Sequence, residues 1–96
     1  MKTAQPDKLL QFQRNEITEN HIYLRLARRT SNEKNRRILE RIAADELRHY
    51  DEWKLHTNRD VSPNRLAVLK YDLIGRVLGF TFAIKLMEAG EDHAQE

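Results

Sequence analysis

The stretch Ala43-Ala44-Asp45-Glu46-Leu47-Arg48-His49-Tyr50-Asp51-Glu52-Trp53 constrains this chain more than any other. Read as an α-helix of about 3.6 residues per turn, it puts Glu46 and His49, three positions apart, on one side. Leu39, Ile42, Ala43, Tyr50 and Trp53 fall within about 60° of Glu46 at roughly 100° per residue. An acid and an imidazole therefore sit inside an apolar stripe. An ionised carboxylate buried without a partner is strongly destabilising, so Glu46 calls for a countercharge, a proton or a metal ion.

A second stretch, Leu9 to Arg29, has the same character. Glu16 lies there among Leu9, Phe12, Gln13, Asn20, Tyr23 and Ala27, again on one helical face. The segment Thr30-Ser31-Asn32-Glu33 separates the two stretches, and Thr30 followed by Glu33 is a capping-box pattern that predicts a helix start. Ser31 lies midway between Glu16 and Glu46. In an antiparallel hairpin folded at Ser31, Glu16 faces Glu46, Gln13 comes level with His49, Tyr23 with Leu39, and Leu9 with Trp53. Two acids and a histidine then meet in mid-hairpin.

Composition agrees with helices. The 96 residues are 40% hydrophobic and 33% charged, with 3 glycines and 2 prolines, the profile of one small helical domain rather than a sheet protein. No cysteine is present, which excludes a disulfide framework and thiolate zinc sites. With no apolar run behind Met1–Pro6, the expected location is the cytoplasm. The net charge is +2. Arg25, Arg28, Arg29, Lys34, Arg36, Arg37 and Arg41 gather near the turn but alternate with Glu33 and Glu40. That is the pattern of a solvated helix face, and no nucleic-acid partner is expected.

Helix 1 is predicted from about Pro6 to Arg29, with Pro6 at its first turn and Asp7 against the dipole. Its additional apolar residues Ile17, Ile22, Leu24 and Leu26 call for at least two neighbours. Helix 2 should run from about Ser31 to His56. Ser62 reads as an N-cap before Pro63, opening a third helix from about Asn64 to Leu78 that Gly75 and Gly79 weaken or bend. Phe80 to Glu96 is a further helical stretch. The most apolar segment, Leu73 to Met87, is too short to span a bilayer, which needs about 20 apolar residues. It is expected to pack on the hairpin or on another subunit, with membrane-surface contact as the alternative.

Carboxylate oxygen and imidazole nitrogen suit iron and manganese, and zinc also accepts them. A di-metal site in a four-helix bundle takes one Glu from each of two helices and a Glu-x-x-His from each of the others. Glu16, Glu46 and His49 supply half of that set, and residues 1–96 contain no second Glu-x-x-His. Two hairpins related by a two-fold axis would supply the whole. Four carboxylates then balance two divalent cations. The same helical geometry admits a plainer reading, in which Glu46 pairs with an arginine and His49 is a satisfied core residue.

At these residues the chain resembles the ferritin-like superfamily, in particular its rubrerythrin branch. The resemblance rests on Glu16-x6-Tyr23-x3-Ala27 in the first helix and Ala44-Asp45-Glu46-Leu47-Arg48-His49 in the second. Residues 63–96 are similar to the ferritin-like domains fused to vacuolar-iron-transporter-type membrane domains, through Lys85-Leu86-Met87-Glu88-Ala89-Gly90-Glu91. The spacing of Glu16, Glu46 and His49 is also similar to that of two-helix encapsulated ferritins, which complete their iron site across a dimer. The resemblance implies an all-α, ferritin-like bundle completed by dimerisation, with two iron ions at a shared site. It implies Glu16, Glu46 and His49 as iron ligands, Glu46 bridging, and Tyr23 as a hydroxyl that holds a ligand carboxylate. Glu91 would be a further ligand. Glu19, about 60° from Glu16, is either an additional ligand or, on the plainer reading, a surface ion pair.

The expected activity is oxidation of Fe(II) by oxygen or peroxide, a ferroxidase-like role in iron storage or detoxification. A rubrerythrin-like peroxidase and a non-catalytic module that delivers iron to a membrane transporter or a storage shell are the alternatives. A metal-free helical oligomerisation module is the structural counterpart of all three.

Overall fold

A computed structural model describes the backbone of residues 6–95 and the side chains of residues 7–79 and 81–89. It is all helical there, with α1 spanning Pro6–Arg29, α2 Glu33–Thr57, α3 Arg65–Leu78 and α4 Phe80–Gln95. α1 and α2 form a long antiparallel hairpin. α3 packs on α1 and α4 on α3, so α1 has the two neighbours its wide apolar surface demands. The molecule is elongated, 48 × 22 × 20 Å.

The helix boundaries follow local chemistry, with two departures from the pattern read above. The N-cap of α2 is Asn32, not Thr30: its side-chain oxygen accepts from Asn35 N, while the Thr30 hydroxyl turns back to donate to Leu26 O at 2.8 Å. An asparagine amide satisfies an orphan N–H as well as a threonine does, and the Thr30 bond is available one turn earlier. Likewise α3 is capped by Asn64, which accepts from Ala67 N, rather than by Ser62. The Asn64 backbone N–H in turn donates to the Thr18 hydroxyl of α1 at 2.9 Å, so the cap and the docking of α3 are fixed together.

Gly75 lies inside α3, which runs through it uninterrupted. A Cβ built there would stand 2.5 Å from Leu26 Cδ2, so the glycine lets α3 approach α1. Gly79 does break the chain between α3 and α4, at φ 96°, a conformation open to glycine. The core consists of Ile22, Tyr23, Leu26 and Ala27 of α1, Leu39 and Ala43 of α2, Val68 of α3, and Ala83 and Met87 of α4.

Arg25 and Arg29 are not merely a solvated basic face. Both reach Asp72 of α3, which is buried: Arg29 Nε donates at 2.7 Å and Nη2 at 3.0 Å, and Arg25 Nη1 at 3.3 Å. Their hydrogen bonds hold the Asp72 carboxyl below its ordinary range, Arg29 contributing most. Among the described residues, no helix is long and apolar enough to cross a membrane.

Candidate metal centre

Helical side chains lean toward their own N-terminus. In an antiparallel hairpin, a side chain of α1 leans away from the turn and its partner on α2 leans toward it. The α2 partner must then lie farther from the turn than simple mirror symmetry about Ser31 gives. Phe12 accordingly stacks on Trp53, with ring centroids 5.3 Å apart, rather than on its mirror residue Tyr50. Asn20 donates to a backbone carbonyl, where only one lean counts. It meets Ala43 O at 2.7 Å, one residue past its mirror position.

The same shift places Glu16 against His49. His49 Nδ1 is 2.9 Å from Glu16 Oε2 and 3.2 Å from Glu46 Oε1, and donor atoms of the three side chains all lie within 4.8 Å of one another. The side chains of Glu16 and Glu46 are 18% and 13% exposed, and that of His49 is 41% exposed. The carboxylates are thus sunk between the helices and the imidazole forms the rim. A proton on Nδ1 can bridge both oxygens. A metal ion can replace that proton, because ligands about 2.1 Å from an ion at right angles stand about 3 Å apart, the separation seen here. That separation holds between His49 and each carboxylate, and the three side chains could together offer an ion three donors.

The surroundings fix these positions. Gln13, with no exposed surface, donates through Nε2 to Arg59 O at 2.7 Å and accepts from the Thr57 hydroxyl at 2.6 Å. It clamps the end of α2 to α1 one turn from Glu16. Tyr50 is buried and its hydroxyl accepts from Val61 N at 2.8 Å, so this stripe residue anchors the α2–α3 connection. Gln13 and Asn20 are visible in the sequence as amides on an apolar stripe. Their partners lie 46 and 23 positions away, beyond any local pattern.

Tyr23 is buried in the core beside Ile22 and Leu26. Glu19 is only 8% exposed, so it is not a surface residue. It lines a groove with Thr18, Ile22, Asn64, Tyr71 and Met87 and is outside the three-residue donor group. Glu91 lies within α4, but its side chain is outside the described residues, as is that of His93. His21 and His56 are exposed.

No protein-family model, curated protein sequence or solved structure matches this chain. The fold and the donor cluster together define an all-helical protein with a candidate Glu-Glu-His cation site.

Proposed function

We propose that the chain is a di-iron carboxylate protein of ferritin-like type whose site is completed by a second copy, and that it oxidises Fe(II) with oxygen or peroxide. The observation that carries this reading is the convergence of Glu16, Glu46 and His49 from two helices at coordination spacing. Pairing two such half-sites about a two-fold axis gives four carboxylates and two imidazoles. Its charge would balance two Fe(II) ions, which are the substrate. Carboxylate-rich sites favour the harder Fe(III) product; oxygen or peroxide accepts the electrons. In this chain Glu16 and Glu46 would hold the ions through their carboxylates, with His49 giving a nitrogen at the rim. Tyr23 would steady a ligand carboxylate through its hydroxyl. Manganese or zinc would fit the same donors.

Aerobic addition of Fe(II) is expected to raise ferric absorbance, and Glu46→Ala to abolish that rise. Anaerobic titration should give one Fe(II) per chain in the wild type and none in the variant; unchanged binding in the variant would refute the assignment. The half-exposed imidazole favours a second reading, binding and release without turnover, as in delivery to a transporter or storage shell. One Fe(II) bound per chain with no oxygen or peroxide consumed would select it.

A further inference from the structure

α3 leaves an aliphatic stripe in water. Leu66, Leu69, Leu73 and Val77 are between 54% and 80% exposed. At about 100° per residue they lie within roughly 80° of one another on its outer flank, while Val68 and Asp72 turn inward and are buried. Monomeric proteins rarely leave contiguous apolar surface of this kind uncovered, so the stripe marks a contact surface.

The charges around the stripe determine what it contacts. Arg65, Lys70 and Arg76 are exposed on α3. Helical geometry puts Arg65 and Arg76 along one edge of the stripe and Lys70 along the other. The acid of this helix, Asp72, is buried and held by Arg25 and Arg29. Arg28 joins them in lining the surface pocket around Asp72. Packing α3 against α3 of a second copy would set cation against cation. Nucleic acid would leave the leucines unused. An aliphatic centre, cationic edges and no solvent-facing acid are the marks of a helix that lies in a lipid interface.

We propose that the outer face of α3, with Arg25, Arg28 and Arg29 of α1, docks on a bilayer surface containing anionic lipid. The leucines reach the acyl boundary and the cations stay among the headgroups. The contact is peripheral, since no described helix can cross the bilayer. Arg25 follows Glu16 by nine residues, about half a turn around α1. Arg25 and the donor cluster therefore lie on opposite sides of α1, and the docking does not rest on the metal assignment.

The test is sedimentation of the full chain with vesicles of phosphatidylcholine, with and without phosphatidylserine. Binding is expected only with phosphatidylserine, and to weaken as salt rises. Each cation near such a surface contributes about fivefold in affinity, so Arg28→Glu with Arg76→Glu should weaken binding by at least about twentyfold. Leu69→Ser with Leu73→Ser should weaken it about tenfold or more. These four residues are exposed or border solvent, so the variants should retain the wild-type circular dichroism. Glu46→Ala should sediment like the wild type. Equal binding to neutral vesicles, no binding to either, or leucine variants that bind normally would overturn the proposal. So would a fall in the mass of the vesicle-free protein on replacing the leucines, which would make the stripe a self-contact.

Discussion

Asp72 is buried, and arginines answer it from the neighbouring helix. Its folded-state carboxyl lies below the ordinary aspartate range, chiefly through hydrogen bonds from Arg29. A lowered folded value stabilises the fold above the unfolded value, and that contribution is lost as pH falls through the folded one. Acid unfolding below about pH 4 should therefore be steeper in the wild type than in Asp72→Asn, which should also melt lower at neutral pH. Parallel acid limbs in the two proteins would remove this role. Gly75 offers a second test. Alanine would gain up to about 1 kcal/mol of helix propensity, but its Cβ would collide with Leu26, itself only 1% exposed. Overpacking costs about 1–3 kcal/mol, so Gly75→Ala is expected to lower stability by up to about 2 kcal/mol in thermal unfolding. A raised midpoint would show that Leu26 moves aside freely. Neither role was legible in the sequence. Arg25 and Arg29 read there as a solvated face, because the acid they meet lies 47 and 43 positions away.

At the scale of the helices, local pattern carries far more. The hairpin, the turn near Ser31 and the four helical segments follow from period, glycine and capping signals. The register does not follow from them. Symmetry about the turn brings Glu16 level with Glu46, but the lean of helical side chains carries it to His49 as well, and this closes the donor cluster. The caps, Asn32 and Asn64, escape local pattern for a related reason. Thr30 and Asn32, or Ser62 and Asn64, are equally good by composition, and the bond from Asn64 N to Thr18 decides the second case only in three dimensions. Gln13 tests how the hairpin end is held. Gln13→Met conserves volume but leaves Arg59 O without this donor, and should cost about 1–3 kcal/mol in urea unfolding. Gln11, exposed on the same helix, should tolerate alanine within about 0.5 kcal/mol. Equal effects at the two positions would mean that the clamp contributes nothing.

At the scale of the whole molecule, two faces of the elongated body would have different tasks. One carries Glu16, Glu46 and His49 with the imidazole at the rim; the other carries arginines and exposed leucines. On the proposed reading the donor set of one chain would fill half a coordination shell, so metal and a second copy should stabilise each other by mass action. Fe(II) under anaerobic conditions is expected to raise the melting temperature of the wild type and to leave that of Glu46→Ala unchanged. A chelator should reverse the rise. The candidate donors could be counted from the sequence, since they depend only on which residues share a helical face. The proposed completion would depend on a surface that no local pattern describes. Native mass measurement with and without Fe(II) tests this most directly. The account predicts a dimer, or a multiple of it, that carries two iron ions per pair of chains and loses them in Glu46→Ala. A chain that stays monomeric in Fe(II), or that assembles identically without metal and takes none up, would contradict it.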